Sequence, residues 1–296
     1  EISCYRVYDA DIPEYALAID FYRGSSHWIH VREYQAPRSI DPELAEGRLL
    51  AALSTIPEVL GVDWEQIYFK VRRRQKDLRH TNLQDLPGKF VEVEEAGHRF
   101  QVNFDSDLDT GLFLDHRIIR GMIKQYARGH RFLNLFGHTG SATVYAAAGG
   151  ALSTTTVDLS KTYLEWARKN LALNGVESTA HQFIQADAAD WIDQAIGKSR
   201  RDHRFDLIFL NAPTFSNSKA MDGVFDIERN HMDLLGRAVQ LLAPDGLLLF
   251  STSCRKAWLE KDRLAGFTIV DISRRTLPRD FERNPRIHRC WEIRRA

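Results

Sequence analysis

Cysteine is scarce in this sequence, and what there is does not pair. Cys4, Cys254 and Cys290 are an odd number, far apart, with no CxxC. That pattern excludes a disulfide framework and a thiolate zinc site, predicts no metal centre, and fits a reducing, cytoplasmic setting. Long apolar runs are missing: none approaches the roughly 20 residues that span a bilayer, so no membrane partner is expected. There is no secretory leader and no initiator methionine, and a start at Glu1 is the expectation for a processed chain or a piece of a longer one. Net charge is zero on the formal count, 40 basic against 40 acidic residues. The charge is nevertheless unevenly spread. Lys70–His80 holds six cations against one acid, and Asp271–Ala296 eight arginines against four acids, so a nucleic-acid partner is not excluded.

What is present is organised around Phe132 to Asp158. Phe132–Phe136 is a short apolar run, the pattern of a buried parallel strand. Gly137 to Gly140 make a turn, Ser141 to Ala148 is an alanine-rich helix, and the β-branched Thr154–Val157 is a second strand closed by Asp158. Such a unit puts a loop and a helix N-terminus at the carboxyl edge of a sheet, where open α/β sheets bind ligands and free N–H groups favour an anion. A nicotinamide site would want G-x-G-x-x-G, and this turn offers only Gly137 and Gly140. S-adenosylmethionine, with a carboxylate and no pyrophosphate, needs less glycine.

Residues 1 to about 108 read as a small α+β domain. It has strands at Trp28–Tyr34 and Gln66–Val71, a helix at Pro42–Leu60 capped by Asp41, and a hairpin about Glu95-Ala96-Gly97. The basic stretch with Arg72, Arg73, Arg74, Lys76 and Arg79 lies between its strands and is dense enough to contact RNA phosphates. From residue 109 to 296 the pattern is α/β. Helices are expected at Ile118–Arg128, Ser160–Asn174, Asp190–Ile196, Phe225–Leu242 and Trp258–Leu264. Strands are expected at His181–Ala186, Phe205–Leu210, Leu247–Ser251, Phe267–Ile272 and His288–Ile293, with no helix between the last two. Seven strands so arranged predict a mostly parallel sheet closed by one antiparallel strand.

Three strand ends then fall along one carboxyl edge. Asp158 suits two ribose hydroxyls, Asp187 an adenine amino group, and Asn211-Ala212-Pro213 the methyl-bearing end. Together they favour S-adenosylmethionine. The candidate cofactor positions are Asn134, Phe136, Gly137, Thr139, Gly140 and Ser141 at the turn, Asp158, Leu159 and Ser160 at the second strand end, Asp187 and Ala188 at the third, and Asn211 at the fourth.

Five segments carry a resemblance that runs over nearly all of the chain: CYRVYDADIPEYALAID from Cys4, TGLFLDHR from Thr110, NLFGHTGSATV from Asn134, STTTVDLSKTYLEWARKNL from Ser153 and PTFSNSK from Pro213. With them the chain resembles the C-terminal, RlmK-type half of the bifunctional bacterial 23S rRNA guanine methyltransferases. The resemblance implies a class I, Rossmann-like methyltransferase fold and a smaller N-terminal domain. It also implies S-adenosylmethionine as methyl donor, 23S rRNA as substrate with guanine N7 as target, and a second methyltransferase half in the full-length protein. It implies that Asp115 and Arg117, readable otherwise as a connector with Asp115 as helix cap, belong to a segment covering the cofactor. The family usually has Ser-Tyr in place of Gly137-His138 and Asp-Pro-Pro in place of Asn211-Ala212-Pro213.

Guanine N7 is a lone-pair nucleophile, so its methylation requires positioning rather than a general base. Phe215 is expected to stack on an extruded base, with Lys219 or Asn217 donating to O6, beside Asn211 and Pro213. Transfer to an exocyclic amine is the rival reaction that the Asn at 211 keeps open. Cytosine C5 methylation through Cys254 is another, against a packing role for that thiol. A non-catalytic cofactor- or RNA-binding module is the alternative of a different class.

Overall fold

The computed structural model describes residues 2–34, 40–71, 88–105, 109–176, 178–198, 204–213, 215–216 and 225–296. The chain divides into two compact units, one of Glu1–Leu114 with Arg279–Arg283 and one of Asp115–Pro278 with Asn284–Ala296.

The first unit holds a four-stranded sheet of β1 (Cys4–Asp9), β2 (Leu17–Arg23), β3 (His27–Glu33) and β4 (Ile67–Val71), in that order. β1 and β2 were not legible as strands in the sequence. β4 runs parallel to β3, and α1 (Pro42–Leu60) makes the crossover. α1 starts where the cap residue dictates: Asp41 Oδ1 accepts from the N–H of Glu43 at 2.8 Å, and Pro42 occupies the first turn. Leu17, Ile19, Ile29 and Val31 pack with Ile56 and Val62 on one side of the sheet. On the other side Arg6, Asp20, His30 and Tyr68 stand in register across all four strands. Phe104 covers that row, with its ring 5.6 Å from His30 and 4.9 Å from Tyr68. β5 (Phe90–Glu95) and β6 (His98–Asn103) form the expected hairpin, with positive φ at Ala96 and Gly97 as a tight primed turn requires.

The second unit contains α2 (Arg117–Tyr126), β7 (Arg131–Leu135), α3 (Ser141–Ala148), β8 (Ser153–Asp158), α4 (Lys161–Leu173), β9 (His181–Gln185), α5 (Ala188–Lys198) and β10 (Phe205–Asn211). A two-residue ribbon, β11 (Phe215–Ser216) with β12 (Phe225–Asp226), precedes α6 (Ile227–Ala238), β13 (Leu242–Thr252), β14 (Phe267–Asp271), α7 (Ser273–Thr276) and β15 (Arg289–Arg295). The sheet order is β14-β15-β13-β10-β7-β8-β9, parallel except for β15, which is antiparallel to both its neighbours. This is the mostly parallel seven-stranded sheet closed by one antiparallel strand that the sequence predicts.

The strands read as continuous apolar runs because both faces are covered. Leu133, Leu135, Ile208, Leu210 and Leu248 face a core with Leu234 and Leu235, while Phe132, Leu207, Phe209 and Leu249 face one with Ile119, Ile123 and Ala146.

Four expectations need correction. The helix expected from Phe225 begins at Ile227, because Phe225 and Asp226 pair with β11, and it stops at Ala238 before a 3-10 turn. Pro244-Asp245-Gly246 lies within β13 rather than before it: the pairing steps from Phe205↔Leu242 to Leu207↔Leu247, and a bulge absorbs the extra residues. Trp258–Leu264 is no α-helix, only a 3-10 turn at Lys261–Leu264. Its first carbonyls are taken from outside: Ala257 O accepts from Arg289 Nη1 at 2.6 Å, and Trp258 O lies 2.8 Å from His231 Nε2. Finally, a single helical turn, α7, does separate the last two strands. No helix among the described residues is long and apolar enough to cross a membrane.

Candidate active site

The turn after β7 alternates in hand. φ is 56° at Phe136, 51° at His138 and 70° at Gly140, and it is not positive at Gly137 or Thr139. Two of the three left-handed residues carry side chains, which costs about 1–3 kcal/mol each and persists only where the surroundings enforce it. The enforcing contacts are visible. Gly137 N–H donates to Val157 O at 2.9 Å, Asn170 Nδ2 donates to the buried Thr139 carbonyl at 2.9 Å, and the His138 ring lies 4.2 Å from that of Tyr163. Glycine is required at two places by close approach. A Cβ on Gly137 would stand 2.3 Å from Thr156 Cγ2, and one on Gly140 2.7 Å from Ala167 Cβ. Beneath the turn, buried Asn134 donates to Thr143 Oγ1 at 3.0 Å, and Thr143 meets Thr156 Oγ1 at 2.8 Å.

Asp158, half-buried at the end of β8, ties this turn to the next one. Its Oδ2 accepts from His138 N–H at 2.8 Å, and its Oδ1 from Ser160 N–H at 2.8 Å. Gly140 is the N-cap of α3 and brings no side-chain acceptor, so the first-turn N–H groups from Ser141 onward suit an anion. Ser160 caps α4, accepting from Tyr163 N–H at 3.3 Å, and Leu159 O accepts from Gln185 Nε2. Asp187 caps α5 through Oδ1, which accepts from Ala189 N–H at 2.8 Å and Asp190 N–H at 3.1 Å, and Ala188 is buried behind it. Half-buried Asn211 pairs with Ser251 at the end of β10, followed by buried Ala212 and exposed Pro213.

Asp115 and Arg117 sit where the chain enters α2. Asp115 Oδ2 lies 3.0 Å from His288 Nδ1 and 3.8 Å from His116 Nδ1, and His116 Nε2 lies 2.9 Å from Ser251 Oγ. Burial alone would raise the Asp115 carboxyl, but His116 and the bond from His288 hold it well below the usual carboxylate range. Burial lowers His116 to about 4, against the pull of Asp115. The sequence reading missed both histidines and their hydroxyl partners. Asp115, His116 and His288 also bring donor atoms within 4.8 Å of one another.

The structure therefore brings the turn residues, Asp158, Asp187 and Asn211 to one carboxyl edge, with Asp115 joined to β13 through His116. Phe215 is placed only by its backbone, in β11. Asn217, Lys219, Arg72, Arg73, Arg74, Lys76 and Arg79 lie outside the described residues. Cys254 is buried in the core of the second unit, which suits a packing thiol rather than a nucleophile.

A family described as S-adenosylmethionine-dependent methyltransferase matches residues 16–266. The chain is 58% identical over 292 residues, 99% of its length, to a protein of Methylococcus capsulatus named ribosomal RNA large subunit methyltransferase K/L, and 56% identical to the one of the same name from Allochromatium vinosum. It spans 39% of the length of each of these relatives. Among solved structures it is similar to SMU.776 in complex with SAH, with a TM-score of 0.76, 23% identity, and coverage of 99% of this chain and 75% of that one. The SAM-dependent methyltransferase of Agrobacterium tumefaciens matches with a TM-score of 0.68 and 19% identity, over 99% and 90% of the two chains. At these identities the two structures speak for the fold alone.

Proposed function

The chain belongs to the S-adenosylmethionine-dependent methyltransferases, and from that premise we propose that it transfers a methyl group from S-adenosylmethionine to N7 of a guanosine in 23S rRNA. The observation that carries the rRNA assignment is the 58% identity, over 99% of this chain, to a protein named as a large-subunit rRNA methyltransferase. Because the chain spans 39% of such relatives, the reading includes a covalently joined second methyltransferase half, working in the cytoplasm where ribosomes are made.

The residues present fit the cofactor. The first-turn N–H groups of α3 suit its carboxylate. Asp158 is an acceptor at the end of β8, the type of group that suits ribose hydroxyls. Gly137 and Gly140 let the turn pack directly on Thr156 and Ala167, where no Cβ would fit. Once bound, S-adenosylmethionine supplies an electrophilic methyl on a sulfonium. The chain's own task is to present N7 in line with that methyl and to exclude water; N7 carries no proton, so no residue need remove one. Asn211 orients the cofactor or the base through its carbonyl oxygen, Pro213 fixes the exit of the strand, Phe215 stacks on the base, and Lys219 donates to O6.

The Asn211-Ala212 departure provides a test. If no proton must be removed, an acid at 211 is dispensable, and Ala212 costs only rigidity. Changing Asn211→Asp together with Ala212→Pro should then raise the single-turnover rate on a 23S rRNA fragment by about tenfold or less, about 1.4 kcal/mol of barrier. Mass identification of the product nucleoside decides the reading. A methylated exocyclic amine, or an rRNA left untouched until Asp is restored, would sink the N7 assignment.

The first unit is assigned to RNA through its basic stretch. Replacing Arg72, Arg73 and Arg74 by Ala should weaken RNA binding and flatten its salt dependence by about one phosphate contact per lost cation, with cofactor affinity unchanged. A salt slope equal to the parent's would remove these arginines from the interface.

A further inference from the structure

Two histidines hold the segment that enters α2, and the functional reading above leaves them without a role. They come from opposite ends of the second unit. His288 Nδ1 meets Asp115 Oδ2 at 3.0 Å, and its other nitrogen lies 3.1 Å from Thr276 Oγ1 on α7. The Asp115 carboxylate can only accept, so this bond is donated by His288. His116, the next residue, reaches the other way. Ser251 Oγ gives its own proton to Arg289 O at 3.2 Å and must therefore accept from His116 Nε2–H at 2.9 Å. The two imidazoles stack, with centroids 5.0 Å apart and planes 21° apart. His288 is 1% exposed and His116 7%, so neither bond competes with bulk water.

These anchors lead to the place where the proposed chemistry occurs. Ser251 stands opposite Asn211 in the β10–β13 ladder. The His116 ring meets Phe209, two residues before Asn211, edge-on at 6.4 Å. Arg117 follows directly as the first residue of α2. The segment bearing Asp115 and Arg117 is thus fastened at one point to His288, just before β15, and at another to β13, beside the strand end that carries Asn211.

We propose that His116 and His288 are positioning residues for methyl transfer: they hold the Asp115–Arg117 segment and Asn211 in one fixed arrangement at the carboxyl edge of the sheet. This rests on the reading of that edge as the methyltransferase site. It assigns the histidines no contact with substrate, and their effect passes through Asp115 and Ser251.

The test uses the full chain, S-adenosylmethionine and a 23S rRNA fragment. His288→Gln removes the nitrogen at the Nδ1 position. His288→Asn places an amide N–H close to that position and restores a donor for Asp115. At saturating cofactor and RNA, His288→Gln should slow single-turnover transfer by about tenfold to a hundredfold, the scale of an ångström of misplacement. His288→Asn should recover most of the rate. Both should melt within a few degrees of each other, because both give up the native imidazole. Ser251→Ala cuts the His116 anchor, together with the bond to Arg289 O, while leaving the His288 anchor in place; it carries the same expected loss and keeps the question decidable if His288→Gln does not fold.

A rate for His288→Gln equal to the parent's, or equal losses in the Gln and Asn variants, would overturn the proposal. So would a stoichiometric divalent metal found by elemental analysis of the parent and lost in His288→Gln, since the cluster would then be coordinating rather than hydrogen-bonding. A parent that binds cofactor and methylates no RNA would instead sink the rRNA reading. The positioning proposal would then be decided by calorimetric affinity for S-adenosylmethionine, lowered about tenfold in His288→Gln and restored in His288→Asn.

Discussion

Asp158→Ala is expected to weaken S-adenosylmethionine binding by about 2–3 kcal/mol, the scale of a lost pair of charge-assisted hydrogen bonds. In calorimetric titration that is a rise in Kd of about 30- to 150-fold. The carboxylate has two tasks that separate in the variants. Toward the ligand it is a double acceptor; toward the protein it fastens His138 N–H and Ser160 N–H, each at 2.8 Å, and so holds the turn in which Phe136 and His138 keep positive φ. Asp158→Asn retains one oxygen, but its amide group then faces a backbone N–H, donor against donor. Asn should therefore bind the cofactor little better than Ala, although it is closer in shape. The sheet should survive both changes, because Asp158 ends its strand and is not part of either apolar core. Unchanged affinity in a variant that melts like the parent would take Asp158 out of the site.

What the sequence displayed and what it concealed differ for physical reasons. The β7–α3–β8 unit was legible because each step is enforced locally. Its strands are buried on both faces, its glycines stand where Thr156 and Ala167 allow no Cβ, and Asp158 closes the second strand. The start of α1 was legible to the residue because a cap and a proline both mark it. β1 and β2 were not, because their inward side is charged: Arg6 and Asp20 occupy positions that a hydrophobic alternation reserves for apolar residues. In the site the strand-end acids were visible one by one. The bond joining Asp115 to His288 spans 173 residues of sequence, a separation that no local pattern reveals. Asp187 shows the limit of reading acids at strand ends, since its Oδ1 is already engaged as a helix cap.

The concealed charged side of β1 and β2 predicts the largest loss of stability in the molecule. Asp20, 2% exposed, accepts from Arg6 Nε at 2.7 Å and Arg6 Nη2 at 3.1 Å, and from Arg32 Nη2 at 2.8 Å. Asp20→Ala strips Arg6, itself 7% exposed and stacked 4.6 Å from the Phe281 ring, of both its short carboxylate bonds and leaves Asp9 Oδ2, 3.4 Å from Arg6 Nη1, to offset a buried cation. Breaking such a group by removing one partner costs about 3–5 kcal/mol, whereas replacing all members by apolar residues of similar volume is often neutral or better. Arg6→Met with Asp20→Leu and Arg32→Met should therefore be closer to the parent in stability than Asp20→Ala, although it removes more bonds. The pH dependence has a definite sign. Burial opposes ionisation of Asp20, but Arg32 and Arg6 outweigh it and hold its carboxyl below the usual range. Its stabilisation is complete above the ordinary carboxylate pKa and is lost as pH falls through the lower folded value. His30, beside it in register, acts earlier. Burial lowers it from 6.5 to about 3, so between those values the unfolded chain binds a proton that the folded one does not, and stability falls as pH falls. With two units in the chain a single global unfolding energy is not defined. The appropriate measurement is hydrogen exchange on peptides covering β1 to β4. Protection there should decline from pH 6.5 downward after correction for intrinsic rates, with the first part of that decline absent in His30→Leu. Equal protection of these strands in the parent and in Asp20→Ala would show that the carboxylate does not hold the sheet.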